Sequence, residues 1–188
     1  MKKIAIFASG SGSNAENIAR YFQYSENLNI ECIYSNKPDA FVLQRAAKFN
    51  IPTEVFNRDE FYNSNIIVDS LKDKGVDLVV LAGFLWLIPP ALVNNFTIIN
   101  IHPALLPKYG GKGMYGDKVH EAVVENKELE SGITIHYVNE KYDDGDIIFQ
   151  AKCEVLPSDS PNDVAQKVHA LEYEHFPKVI EKLLLNNQ

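Results

Sequence analysis

The sequence is poor in cysteine, and this scarcity excludes two classes of protein. Its 188 residues include only Cys32 and Cys153, which lie far apart and in no metal-ligand spacing. Disulfide scaffolds carry cysteine at much higher density, and zinc sites use closely spaced ligands. We therefore expect no disulfide framework, no metal site and a reducing compartment, the cytoplasm.

Positive charge is also scarce, and long apolar runs are missing. The chain has 18 Lys and Arg against 25 Asp and Glu, a net charge of −7. This acidic balance argues against nucleic acid or a membrane surface as the main partner, although backbone dipoles can still attract a small anion. The apolar stretch after Lys3 ends at Ser9, which is too short for a secretory signal, and no window approaches a membrane span.

Apolar strands alternate with amphipathic helices through the first half of the chain. Continuous apolar runs at 4–8 and 78–82 are typical of strands buried on both faces, and one helix is predicted over 59–74. Further on, 133–138 and 147–155 have strand patterns, and a long helix follows. We predict an α/β fold: a doubly wound, mostly parallel sheet with an antiparallel C-terminal strand pair and a long C-terminal helix.

A loop rich in glycine and serine, residues 9–13, joins the first strand to the first helix. Glycine lets the backbone approach a ligand, and the helix behind the loop offers unpaired N–H groups to an anion. The loop lacks the ending of a Walker sequence, and Ala15 stands where a dinucleotide fingerprint needs its third glycine. One phosphate fits this loop better than a pyrophosphate, and a turn capped by Ser13 is the structural alternative.

Two polar residues end an apolar strand predicted over 97–102. Asn100 and His102 are two positions apart, so an extended strand points both side chains to one face, and Pro103 stops the strand. An amide beside a titratable imidazole can stabilise an oxyanion and move a proton. From these residues alone, two polar groups that cap neighbouring loops are an equally good interpretation.

Five segments of the chain resemble one family of folate-dependent enzymes. They are Gly10-Ser11-Gly12-Ser13-Asn14, Ser35-Asn36-Lys37-Pro38-Asp39-Ala40, Leu81-Ala82-Gly83-Phe84, residues 100–107 (Asn-Ile-His-Pro-Ala-Leu-Leu-Pro) and residues 132–150. On these segments the chain resembles the phosphoribosylglycinamide formyltransferases. The resemblance implies a single Rossmann-like formyltransferase domain over 1–188, with a phosphate-binding half (1–100) and a catalytic and folate half (101–188).

The resemblance also implies an activity, which is transfer of the formyl group of 10-formyltetrahydrofolate to the amine of 5'-phosphoribosylglycinamide in purine biosynthesis. The alternatives are a formyltetrahydrofolate hydrolase, another formyl-folate-dependent transferase, or a nucleotide-binding module without catalysis. The implied partners are these small molecules, and the implied assembly is a monomer or homodimer.

Roles for individual residues follow from the same resemblance. The implied catalytic residues are Asn100, His102 and Asp143. The implied contacts to the ribotide phosphate and ribose are Gly12, Ser13, Asn14 and Glu172. The implied folate contacts are Arg58, Phe84, Leu85, Trp86, Leu87, Asn100, Asn139, Glu140, Lys141 and Tyr142.

A glycine-rich segment, 109–117, departs from the pattern of the family. It is longer than the common form, and its four glycines predict a mobile flap over the site. Trp86 is a second departure, because many relatives carry Arg there. His120, just after the segment, matches a histidine near the site of the family.

Overall fold

The computed structural model describes residues 1–185, which contain one sheet of seven strands and the helices that cover it. The strands are β1 (Lys2–Phe7), β2 (Leu28–Ser35), β3 (Thr53–Val55), β4 (Leu78–Leu81), β5 (Ile98–His102), β6 (Glu130–Tyr137) and β7 (Ile147–Glu154). The helices are α1 (Ser13–Phe22), α2 (Phe41–Ala47), α3 (Arg58–Tyr62), α4 (Ile66–Asp73), α5 (Pro90–Val93), α6 (Asp117–Glu125) and α7 (Pro161–Leu185).

The strand order is β3-β2-β1-β4-β5-β6-β7. The five strands from β3 to β5 are parallel, and β6 and β7 extend the sheet as an antiparallel pair. From β1 the chain moves outward to β2 and β3 and then returns to β4 on the other side. The loops that leave β1 and β4 therefore diverge, and a crevice opens between them at the carboxyl ends of the strands.

Side chains from both faces of the parallel strands are buried in two apolar clusters. Ile4 and Ile6 of β1 belong to the cluster covered by α1, α2, α6 and α7. Ala5 and Phe7 belong to the opposite cluster, which also includes residues of α3, α4 and α5. This alternation confirms that β1 is buried on both faces, as its apolar run predicts.

The prediction of one helix over 59–74 is wrong, because the structure has two helices there, α3 and α4. The hydroxyl of Ser64 donates to the carbonyl of Glu60 (2.7 Å) and accepts from the N–H of Ile66 (3.3 Å). These short-range bonds compete with the helical backbone pattern and end α3. The helical spacing of apolar residues continues across the break between α3 and α4, so the sequence pattern alone predicts one helix.

The long C-terminal helix is present as predicted, with Pro177 inside it. Over residues 1–185, no helix combines the length and the apolar content that a membrane crossing requires.

Candidate active site

A cavity of about 580 Å³ occupies the crevice beside β1, β4 and β5. Its volume is within the usual range for small-molecule sites, about 300–1,000 Å³. The wall is built from five parts of the chain: residues 9–14, 82–85, 100–103 and 111–116, and the side of α7 that carries His169 and Glu172. Lys37, His120, Tyr142 and Asp143 complete it.

The glycine-rich loop enters α1 in a conformation that requires glycine. Gly12 has φ 72°, and a Cβ there would overlap the side chain of Val42. The N–H of Val42 donates to the carbonyl of Gly10 (3.1 Å), and Arg45 Nε donates to that of Ser11 (2.8 Å). The loop is thus held from behind by α2.

The first turn of α1 has no side-chain cap. Ser13, the cap in the structural alternative, is instead the first helical residue. The uncapped N–H groups at this terminus, beside the cavity-lining residues 9–14, form an environment suited to an anion.

The predicted catalytic residues meet at the end of β5. Asn100 Nδ2 lies 3.4 Å from Asp143 Oδ1, and His102 Nδ1 lies 3.5 Å from Asp143 Oδ2. The N–H of Gly111 donates to the same Oδ2 (2.9 Å). His102 and Asp143 therefore share one face, as a catalytic interpretation requires.

Hydrogen bonding fixes the protonation pattern of His102. Its Nε2 is 2.7 Å from the carbonyl oxygen of Tyr109. Because a carbonyl only accepts, Nε2 carries the hydrogen, and Nδ1, which faces Asp143, is the basic nitrogen. Burial lowers the pKa of His102 from its ordinary value, against the opposing effects of Asp143 and the Tyr109 carbonyl. The lowered pKa favours the neutral imidazole, in which Nδ1 can accept a proton.

Asp143 is kept ionised by its neighbours. Burial would raise the pKa of this carboxyl, but the neighbouring imidazoles of His136 and His102 and the N–H of Gly111 bring the pKa below its ordinary value. The site thus pairs a neutral base with a fixed carboxylate, which stabilises the imidazolium once a proton arrives.

His136 is a member of this site that the sequence analysis missed. It lies opposite Asn100 in the antiparallel pairing of β5 with β6. Its Nδ1 donates to the carbonyl of Tyr137 (2.8 Å), and its Nε2 accepts from Asn100 Nδ2 (3.1 Å). His136 thereby orients the amide of Asn100. The alternation of residues 133–138 predicted the strand, but only the register shows this contact.

Glu172 lies at the place where α7 approaches α1. It is 4% exposed, and its Oε2 accepts from Asn14 Nδ2 (3.0 Å) and His169 Nδ1 (2.8 Å). The hydrogen bond to Glu172 raises the pKa of His169. His169 was also missed, although its spacing of three from Glu172 places the two on one helix face.

Three of the predicted folate contacts line the cavity beside Asn100: Phe84, Leu85 and Tyr142. Arg58, Trp86 and Leu87 do not line it. The guanidinium of Arg58 lies over the rings of Tyr62 (5.1 Å) and Trp86 (5.7 Å). The carbonyl of Leu87 accepts from the hydroxyl of Tyr62 (3.0 Å). These residues form an aromatic cluster around the rings of Tyr62 and Trp86. Trp86 and Leu87 directly follow the cavity-lining residue Leu85 in the sequence.

The other three predicted folate contacts, Asn139, Glu140 and Lys141, also lie outside the cavity wall. Asn139 accepts from the N–H of Lys141 (2.9 Å) and donates to Asp144 (3.2 Å). These bonds shape the loop that carries Tyr142 and Asp143. Glu140 is exposed on the same loop.

The glycine-rich segment lies over the site, where the sequence predicted a flap. Residues 111–116 line the cavity, and Tyr109, Gly111, Gly113 and Gly116 all have positive φ. The mobility of the segment stays a prediction.

No group of His, Cys, Asp and Glu within residues 1–185 is arranged to hold a metal ion. An anion site, an amide donor and a histidine–carboxylate pair share one cavity. This combination is suited to an enzyme that moves a small acyl group between bound molecules.

Comparison with known proteins identifies that acyl group. A family model described as formyl transferase matches residues 2–180, and the chain belongs to this family. The family and the fold predicted from the sequence are therefore confirmed.

Relatives and solved structures agree with the assignment. The chain is 42% identical over 187 residues to a chloroplastic phosphoribosylglycinamide formyltransferase of Arabidopsis thaliana, covering 95% of this chain and 64% of that protein. It is 39% identical over 188 residues to the phosphoribosylglycinamide formyltransferase of Haemophilus influenzae, covering 96% and 86%. It resembles the crystal structure of that enzyme from Anaplasma phagocytophilum with a TM-score of 0.87 at 33% identity, covering 98% and 87%.

Proposed function

We propose that this protein transfers the formyl group of 10-formyltetrahydrofolate to the primary amine of 5'-phosphoribosylglycinamide. The observation that carries the proposal is the meeting of Asn100, His102 and Asp143 in one cavity with the uncapped N-terminus of α1. The names of its relatives support the same acceptor. The product is the N-formylated ribotide of purine biosynthesis.

The proposed chemistry is a direct acyl transfer. The amine lone pair attacks the formyl carbon, the carbonyl oxygen becomes an oxyanion, and the bond from carbon to the folate nitrogen then breaks. The N–H of Asn100 that faces Asp143 at a long 3.4 Å is available to the developing oxyanion. Removal of one such donor costs about 3–4 kcal/mol of barrier in known enzymes.

His102 moves the proton in this proposal. Its neutral Nδ1 accepts the proton that the amine loses, and Asp143 at 3.5 Å stabilises the resulting imidazolium. The same proton then passes to the departing folate nitrogen. Protons balance over the cycle, and His102 returns to its neutral form.

Binding roles complete the proposal. The ribotide phosphate is held by Gly12, Ser13 and Asn14, and Glu172 accepts from the ribose hydroxyls. Phe84, Leu85 and Tyr142, together with Asn100, bind the folate within the cavity. The aromatic cluster around Arg58 and the loop 139–141 extend the folate surface beyond the cavity.

The deciding experiment follows loss of the folate formyl group by absorbance, with and without phosphoribosylglycinamide. We expect deformylation that requires the amine and yields the formylated ribotide in equal amount. Deformylation at the full rate without the amine would replace the proposal with a hydrolase. Binding of the ribotide without turnover of either substrate would indicate a binding module.

The cytoplasm is the compartment that we propose, because Cys32 and Cys153 are both free thiols. A monomer or homodimer remains the predicted assembly.

A further inference from the structure

One buried histidine in the cavity wall has a ring nitrogen without a partner. His120, on α6, is 1% exposed, and its Nδ1 makes no hydrogen bond within residues 1–185. Buried polar atoms are almost always paired in folded proteins, and His120 lines the cavity, so a bound ligand is a natural partner for its ring. We propose that His120 binds a ribose hydroxyl of the ribotide acceptor and determines specificity for it; this inference rests on the proposed function.

A second unpaired atom belongs to the same part of the cavity. Asn14 Oδ1 is also buried without a partner in the described residues, while Asn14 Nδ2 donates to Glu172 (3.0 Å). His169 donates to Glu172 as well, and its ring lies 6.3 Å from that of His120. The carboxylate of Glu172 thus accepts hydrogen bonds from two residues. One is Asn14, which has an unpaired oxygen, and the other is His169, whose ring lies near the ring of His120 with its unpaired Nδ1.

The chemistry of this corner favours a hydroxyl over an anion. The carboxylate of Glu172 would repel a phosphate placed against it. Burial, followed by the neighbouring charge of His169, lowers the pKa of His120, with Glu172 and Asp117 opposing. A neutral imidazole offers one donor and one acceptor nitrogen, and a hydroxyl can satisfy either. Adjacent ribose hydroxyls can therefore meet His120 and Glu172 together.

His120 is held firmly enough to discriminate between ligands. Its neighbours on α6, Val119 and Val123, are 0% and 1% exposed, so the helix is anchored on both sides of the histidine. An anchored polar group that loses its ligand partner stays unsatisfied, and this is how sites reject analogues that lack a hydroxyl.

The test replaces His120 by a residue of similar size that has no ring nitrogen. We expect His120→Leu to raise the KM for phosphoribosylglycinamide by about tenfold or more, the equivalent of one lost hydrogen bond. The kcat and the KM for 10-formyltetrahydrofolate change less than about threefold, because His120 touches neither the formyl group nor the folate in this proposal. His120→Asn, which keeps a polar atom near the position of Nδ1, recovers part of the loss. His175→Leu is the matched control on the neighbouring helix, where His175 contacts Phe149 and does not line the cavity.

Acceptor analogues give a readout that a purely structural role would not change. The 2'-deoxy and 3'-deoxy forms of phosphoribosylglycinamide are compared with the parent on wild type and His120→Leu. With the wild type, the KM for one analogue should be about tenfold higher than the KM for the parent. With His120→Leu, the same two KM values should be nearly equal, because the contact is already absent. The proposal would be overturned if removal of either hydroxyl raised the KM equally for wild type and variant. An unchanged KM for the parent ribotide in His120→Leu would also overturn it.

Failure of the two proposals can be told apart. If the wild type does not formylate phosphoribosylglycinamide, the proposed function fails, and calorimetric binding of the ribotide to wild type and variants still tests His120. If His120→Leu does not fold, as judged by its melting transition, His120→Asn with the analogue series decides the matter.

Discussion

Replacement of Asp143 by Asn tests the assignment of the base most directly. Asp143 Oδ2 lies 3.5 Å from His102 Nδ1, and the side chains of His102 and Asp143 are only 4% and 11% exposed. A charge pair at this distance is worth about 4–5 kcal/mol at an effective dielectric constant of about 20. Asn keeps an acceptor for the Gly111 N–H and tolerates the φ of 52° at this position. The change therefore removes charge with little change of backbone.

We expect Asp143→Asn to lower kcat by about 1,000-fold or more, because the imidazolium forms only as the reaction proceeds. The KM for the ribotide should change little. Asp143 raises the pKa of His102, so without it the pKa falls further, and the acid limb of the kcat/KM profile moves to lower pH.

Asp144→Asn is the matched control for this variant. Asp144 is 51% exposed and contacts Asn139 and Lys141, so the same loss of charge occurs one residue from the site. Steady-state rates for both variants across the pH range provide the measurement. A kcat of Asp143→Asn within about threefold of wild type, or an equal loss in Asp144→Asn, would refute the role of Asp143 as partner of His102.

Three further predictions concern the base, the phosphate loop and the Glu172 corner. His102→Ala should lower kcat at least about tenfold with modest change in ribotide affinity; near-normal turnover would remove His102 from catalysis. Gly12→Ala forces a Cβ at φ 72° against Val42, so the melting temperature should fall and the ribotide KM rise; unchanged values would contradict the loop geometry. The raised pKa of His169 means that its pairing with Glu172 stabilises the fold below about pH 6 and is lost as pH rises through the folded value. The deficit in melting temperature of His169→Ala should therefore be largest in acid and fade in base; a constant deficit would exclude the pairing as its cause.

Local periodicity accounts for most of the fold that could be predicted. Apolar runs identify β1 and β4, because parallel strands are buried on both faces and contain little else. The same signal failed at 59–74, where apolar residues on both sides of Ser64 keep a helical spacing across a break. There the Ser64 hydroxyl donates to the Glu60 carbonyl and accepts from the Ile66 N–H, and these bonds end the helix despite the apolar pattern.

The site was predictable in part for a similar reason. The spacing of Asn100 and His102 fixes a shared strand face, whereas the contact of Asn100 with His136 depends on the antiparallel register of β5 and β6. Register is a property of the assembled sheet. The resemblance supplied Asp143, which as part of an Asp-Asp-Gly turn would otherwise pass for a turn residue.

Strand lengths explain why the amide and the imidazole reach the cavity at all. The pairing of β4 with β5 ends at Leu81 and Asn100, so β5 continues two residues beyond its parallel neighbour, to His102. On its β4 side this end of β5 therefore borders the crevice, while its other side still pairs with β6. The loop after β6 then returns closely, because Gly145 has no Cβ to overlap the carbonyl of Tyr137. Asp143 is thereby brought within reach of both groups.

The glycine-rich segment completes the arrangement of the proposed base. Tyr109, at φ 56°, directs its carbonyl at His102 Nε2 and so leaves Nδ1 as the nitrogen that accepts a proton. Two residues later the N–H of Gly111 holds Asp143 on the other side of that nitrogen. Because one short stretch of chain fixes both partners, any displacement of residues 109–111 that widens the cavity also releases the tautomer and the carboxylate together. We therefore predict that movement of this segment and assembly of the base are coupled.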